Sequence, residues 1–157
     1  MTNMNTVEAI QRDVTVSADP ARTFQLFTAG IGSWWPKETH SLAAGEEQAV
    51  RSVVFEERTC GRVYEVAADG TEDTWATVLA WEPPTRLVLA WKPSHRDEPP
   101  TEVEVRFTAT DSGTRVDLEH RGWDRLGENA AERAKSYPDG WVLVLDRFAA
   151  AGGVPVR

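Results

Sequence analysis

Residues 139–151 are the stretch that most limits what this chain of 157 residues can fold into. Trp141, Val144, Leu145 and Phe148 recur at the spacing of one helical face. Pro138 suits a helix start, and the Gly152–Gly153 pair suits a stop. Val142 and Leu143 widen the apolar surface beyond one stripe, so a largely covered helix is expected. Most of what lies upstream reads as strand. A strand-rich chain that ends in one apolar helix is expected to close a curved sheet over it, and such a closure can trap a cavity between the two layers.

The strands can be followed in order. Residues 10–16 alternate, with Ile10, Val14 and Val16 on one face. Asp19 and Pro20 then open a short helix as N-cap and first helical residue, with Phe24, Leu26 and Phe27 on its apolar side. Residues 30–36 read as a second short helix or turn ended by Pro36, and 37–48 as a polar loop carrying His40. Strands are predicted over 50–57, 62–67, 74–82, 86–92, 101–108 and 114–121. The breaks between them include Cys60–Gly61, Asp69–Gly70, Pro83–Pro84 and Ser112–Gly113.

In 101–108, Val103, Val105 and Phe107 oppose Glu102, Glu104 and Arg106. In 114–121, Val116, Leu118 and His120 oppose Arg115, Asp117, Glu119 and Arg121. The strand 74–82 is ambiguous, because strict alternation puts Trp75, Thr77, Leu79 and Trp81 on one face and Ala76, Val78 and Ala80 on the other. Residues 128–135 are polar with good helix propensity and precede the last helix either as a separate helix or across a kink at Pro138. The order predicts an α+β fold in one domain spanning 1–157, with a core at about 10–151. It consists of an antiparallel meander of six strands, a first strand added at an edge, two short helices after that first strand and a long C-terminal helix in the concave side.

The net charge of −8 disfavours nucleic acid and anionic membrane surfaces as partners. No apolar run approaches the roughly 20 residues of a membrane helix, and residues 1–8 do not read as a secretory signal, so a cytoplasmic location is expected. A single cysteine, Cys60, excludes an internal disulfide and a cysteine-based metal cluster. His40, His95 and His120 show no metal-ligand spacing, and Gly30-Ile31-Gly32 lacks the rest of a dinucleotide fingerprint, so neither metal nor cofactor is expected. Seven tryptophans are the anomaly. Each can bury roughly 150–250 Å², and a pocket wall facing a flat or apolar ligand would use them well.

The element order and several local sequences resemble the START-like (SRPBCC) helix-grip superfamily, and within it the Hsp90-ATPase-activator-homologue-like (AHSA1-like) branch. The residues that carry the resemblance are 16–20 leading into Phe24 and Phe27, Gly32-Ser33-Trp34-Trp35-Pro36, and Cys60-Gly61-Arg62-Val63-Tyr64-Glu65. They continue with Asp69-Gly70, residues 81–87, Trp91, His120-Arg121-Gly122-Trp123 and Gly140-Trp141. The resemblance implies a curved antiparallel sheet gripping the last helix. Its members include lipid and hormone binders, polyketide cyclases and chaperone regulators, so it does not by itself choose a function.

Within that frame the candidate ligand-binding residues are Trp34, Trp35, His40, Glu65, Trp75, Trp91, His120, Trp123 and Trp141. His120 is either a polar group at the pocket floor or mouth, or a strand-end histidine bonded to backbone or carboxylate. His40 follows the Trp34–Trp35 segment, which in this fold flanks the cavity entrance. Glu65 enters the cavity only if Val63 faces inward. Trp34 and Trp35 cannot both point inward from a regular helix, because neighbours sit about 100° apart, so one of them is expected to cover the mouth or be exposed. Trp81 is expected to be core. Arg62 and Arg86 are expected to be surface ion-pair partners, and His95 to be solvated. Trp141, on the first turn of the last helix, is expected to reach the cavity, while Leu145 and Phe148 fill the core.

Three functions fit these expectations. The first is a module that binds a hydrophobic or aromatic small molecule. The second is a cyclase-like enzyme using His120 with Glu65 or His40. The third is a protein-interaction module whose cavity is filled by its own side chains.

Overall fold

The computed structural model describes residues 7–42, 49–94 and 97–152. His95 and the loop segment 43–48 lie outside the described residues, as do residues 1–6. The chain runs through β1 (Ile10–Val16), α1 (Pro20–Phe27), a 3-10 turn (Ile31–Ser33), β2 (Val50–Phe55), β3 (Arg62–Ala67), β4 (Glu72–Glu82) and β5 (Arg86–Trp91). It continues through β6 (Thr101–Thr110), β7 (Gly113–Arg121), 3-10 turns over Trp123–Asn129, α2 (Ala130–Ala134) and α3 (Tyr137–Gly152). The seven strands form one antiparallel sheet in the order β1-β7-β6-β5-β4-β3-β2, so β1 joins the meander at the β7 edge. The sheet curls into a half-barrel with α3 on its concave side, which is the expected helix-grip arrangement. No helix among the described residues is long and apolar enough to cross a membrane.

Local chemistry explains the entry to the fold. Asp19 caps α1 by accepting a hydrogen bond from the Arg22 N–H at 2.8 Å, and Pro20 follows in the first helical position. Phe24 and Phe27 then turn inward, meeting Phe107 of β6 at ring-centroid distances of 5.0 and 5.9 Å. Phe148 of α3 completes this layer, 5.3 Å from Phe27 and 4.9 Å from Trp34.

The outer face of the sheet is held by charge. Glu104 on β6 is nearly covered and accepts hydrogen bonds from Arg86, Arg106 and Arg121. Burial alone would raise its carboxyl pKa, but the three guanidiniums outweigh burial and hold it at about 2. Arg62 pairs with Glu72 and Arg86 with Glu82, as expected of surface cations.

Three expectations are corrected. Val142 and Leu143 are 43% and 39% exposed, so α3 is gripped along one stripe only, through Trp141, Val144, Leu145 and Phe148. Strict alternation fails in β4, where the register shifts twice and leaves Trp75 unpaired opposite β3 and Leu79 unpaired opposite β5. The first bulge turns Trp75 inward beside Ala76 and Val78, and the second sends Leu79 out while Trp81 stays on the inner side. Finally, Trp34 and Trp35 are both buried. The 3-10 turn ends at Ser33 and the Trp34 backbone has left helical geometry (φ −129°, ψ −18°), so the 100° step between neighbours does not apply.

The β6–β7 hairpin depends on the absence of a side chain at Gly113. A Cβ there would stand 2.0 Å from the Val16 carbonyl oxygen, with φ at +156°. Gly70, in the β3–β4 turn, has φ +90° but open space around it. Gly113→Ala should therefore lower the unfolding free energy by about 3 kcal/mol or more, and Gly70→Ala by only about 1 kcal/mol. Urea titration of the two variants checks the order.

Candidate functional site

The first turn of α3, the ends of β4 and β5, and the segment after Trp35 enclose a cleft of about 540 Å³. Four indoles from four different elements form its apolar wall: Trp35, Trp75, Trp91 and Trp141. Their ring centroids are close: Trp35 lies 4.9 Å from Trp75, Trp91 lies 5.4 Å from Trp141, and Trp35 lies 6.2 Å from Trp91. Each indole is anchored through its N–H. Trp35 donates to the His40 carbonyl at 2.7 Å, Trp75 to Glu65 Oε1 at 2.6 Å, Trp91 to the Tyr137 hydroxyl at 3.3 Å and Trp141 to His120 Nδ1 at 3.0 Å. The rings are thus held by their polar edges and pack against one another, and only a small part of each, 1–6%, is exposed.

The polar part of the lining comes from two segments. Thr39, His40 and Ser41 sit on one side; Glu132, Arg133, Ser136 and Tyr137 sit on the other. Arg133 is paired with Glu98. Burial raises the Tyr137 pKa, keeping the hydroxyl protonated at neutral pH. Burial lowers the pKa of His40, against the opposing pull of the Glu38 carboxylate. Among the described residues no group of three or more His, Cys, Asp or Glu could hold a metal ion.

Behind this wall lies a second tier. His120 is fully buried and bonded through both ring nitrogens. Because Nδ1 accepts from Trp141, the ring's own proton sits on Nε2, which points at Thr101 Oγ1 2.6 Å away. That hydroxyl donates in turn to the Trp91 carbonyl at 3.3 Å. The Trp123 indole stacks on the His120 ring at 4.1 Å and donates to its carbonyl at 3.1 Å. Glu65 does face inward with Val63, but it is fully covered and accepts from Trp75 and from the Leu42 N–H, both at 2.6 Å.

Residues 17–153 match the family described as activator of Hsp90 ATPase homolog 1-like protein. The chain belongs to this family. Solved structures extend the likeness over the whole fold. The anthrahydroquino-Gama-pyrone synthase Txn09, solved as a complex with SUM, is 31% identical, with a TM-score of 0.58 over 92% of this chain and 96% of its own. The Aha1 dimer from Colwellia psychrerythraea is 14% identical, with a TM-score of 0.67 over 94% and 98%. An AHSA1-like protein from Aeromonas hydrophila is 19% identical, with a TM-score of 0.62 over 96% and 98%. The last two likenesses concern the fold alone. No curated protein matches the chain.

Of the nine candidate residues, the structure brings Trp35, His40, Trp75, Trp91 and Trp141 to the cleft. The other four are displaced from it. Trp34 packs into the Phe27–Phe148 layer and donates to the Leu26 carbonyl at 2.8 Å. Glu65, His120 and Trp123 stand behind the wall and support it. An acid/base pair of His120 with Glu65 is therefore corrected, since neither side chain reaches the cleft. Tyr137 and Arg133 were not among the candidates. They lie where a polar helical stretch meets Pro138, and no periodic pattern in the sequence marks that corner as facing the sheet.

Burial lowers the His120 pKa from its ordinary value of 6.5 to about 3. Protonation would also set a new N–H against the Trp141 N–H. Below pH 6.5 the unfolded chain takes up a proton that the folded one refuses, so stability is full above that pH and declines as pH falls toward 3. His40, with its lowered pKa, adds a loss of the same sign. The wild-type protein should lose about 2 kcal/mol more than His120→Gln between pH 7 and pH 5, measured by urea unfolding at each pH.

Proposed function

We propose that this protein binds a flat, largely apolar aromatic molecule in the tryptophan-walled cleft. The observation that carries this reading is the convergence of Trp35, Trp75, Trp91 and Trp141, from four separate elements, on one opening of about 540 Å³. That volume falls within the usual range of ligand pockets, about 300–1,000 Å³, and an apolar wall with a few placed polar groups is their common make-up. An open cleft also favours this reading over a protein-interaction module, for which a filled interior was expected. The likeness to a synthase solved with SUM is consistent with it.

A second reading rests on that same likeness at 31% identity: the cleft also promotes ring closure on the molecule it binds. His40 and Tyr137 are the groups on its wall suited to handling protons. The set differs from the one the sequence suggested, because His120 and Glu65 are engaged behind the wall.

Native mass spectrometry of the protein purified from cells should reveal a co-purifying aromatic molecule. The same molecule recovered chemically changed after incubation would support the second reading. Calorimetric titration should then show that Trp91→Ala weakens binding about tenfold or more, the scale of one lost aromatic face. Trp81→Ala, whose ring packs on Phe24 and Phe55 away from the cleft, should weaken it less than about threefold. Equal losses would trace the effect to general destabilisation and count against the cleft.

A further inference from the structure

His40 and Gly140 are close neighbours in the cleft lining, and their pairing bears on which aromatic molecules fit. Gly140 is the fourth residue of α3, its N–H bonded to the Ser136 carbonyl at 3.1 Å as in a regular helix. Nothing in its backbone calls for glycine, because its φ is not in the left-handed region. Glycine at a helical position is less stable than alanine, so its presence there needs another reason. The reason on view is steric. A Cβ at Gly140 would come to 3.7 Å from His40 Nε2 and 3.9 Å from Cδ2, ordinary van der Waals distances. A methyl group fits, but it would stand in contact with the Nε2–Cδ2 edge of the imidazole.

That edge is chemically available. Thr39 Oγ1 lies 2.7 Å from His40 Nδ1 and engages that side of the ring. Among the described residues Nε2 has no hydrogen-bond partner. Most other polar groups of the lining are engaged or exposed: Arg133 is paired with Glu98, Ser41 donates to the Lys37 carbonyl, Thr39 is on His40 Nδ1, and Glu132 and Ser136 are exposed, while Tyr137 accepts from Trp91 and keeps its own O–H as a donor. The tryptophans offer no polar group, since their N–H groups are committed to His40, Glu65, Tyr137 and His120.

We propose that His40 Nε2, kept open by the missing side chain of Gly140, is the hydrogen-bonding point for an oxygen substituent on a fused-ring aromatic ligand, and that Gly140 sets the protein's preference for oxygenated over purely hydrocarbon rings. The inference rests on the cleft being an aromatic-binding site. It assigns Gly140 a role in selectivity at the expense of helix stability. It also defines the ligand class more narrowly: a planar polycycle with a hydroxyl group at one edge, its rings against the indoles and its oxygen against His40.

Two probes of nearly equal shape test this, 2-naphthol and 2-methylnaphthalene, titrated calorimetrically into the wild-type protein, His40→Phe and Gly140→Ala. The quantity read is the ratio of the two dissociation constants, which cancels general effects on the cleft. Relative to wild type, the advantage of 2-naphthol should shrink about fivefold in both variants, the scale of one net hydrogen bond. Gly140→Ala should at the same time melt about 2 °C higher than wild type, because it removes a helix glycine without strain. That combination, higher stability with lost discrimination, is not expected of a merely structural glycine. An unchanged ratio in His40→Phe overturns the proposal. A ratio that changes in His40→Phe but not in Gly140→Ala overturns the part assigned to Gly140. If neither naphthalene binds the wild-type protein, the aromatic-cleft reading itself falls, and this inference falls with it.

Discussion

The imidazole of His120 ties the C-terminal helix to the sheet. A one-way series of hydrogen bonds runs from the Trp141 N–H on α3 to His120 on β7, then to Thr101 on β6 and on to the backbone of Trp91 on β5. Each donor in the series fixes the role of the next group, so the whole set holds only with a neutral ring protonated at Nε2. Burial secures that state by holding the pKa of the ring far below neutrality. Two of the four cleft indoles, Trp91 and Trp141, are positioned by this series, and Trp123 seals it from behind. A buried histidine in a ligand-binding fold invites a catalytic assignment. Here its polar atoms are used up in holding the wall in place.

The remaining two indoles depend on a different device. Trp75 reaches the cleft because β4 carries an extra residue opposite β3, and it stays there because Glu65 accepts its N–H. Trp35 reaches it because the 3-10 turn ends two residues earlier and its N–H meets the His40 carbonyl. That last bond also places the His40 backbone, so the apolar wall and the polar group beside it are positioned by one contact. Hydrophobic burial supplies the drive, and the indole N–H bonds select one arrangement of rings among many that would bury similar area.

Much of the fold was legible because it rests on period and punctuation. The alternation in β6 and β7, the Asp19–Pro20 start of α1 and the glycine and proline breaks are local signals that tertiary packing did not overrule. The site was legible only in part. Trp141 was placed toward the cavity by the helix period and His40 by its place after Trp34–Trp35, whereas Trp91 was singled out only as one of an unusual number of tryptophans. The faces of β4 were not readable, because a bulge leaves no mark in an alternating sequence and reverses every side chain beyond it. The roles of His120 and Glu65 were left open for a related reason. Periodicity turns His120 inward and leaves the face of Glu65 open, and whether either meets a ligand or another indole depends on residues far away in sequence. Tyr137 and Arg133 were missed because a corner between two helices has no period of its own.

The packing of four indoles around one opening has an optical consequence. Rings whose centroids lie within about 6 Å of their neighbours exchange excitation energy readily, so emission from this group reports on whichever ring is perturbed most. Trp34, Trp81 and Trp123 absorb as well but stand outside the cleft wall, and Trp34, 5.9 Å from Trp35, joins the exchange. A planar molecule resting on any one of the four faces should therefore darken the emission of all of them together. Such a change would report occupancy of the cleft with no label attached.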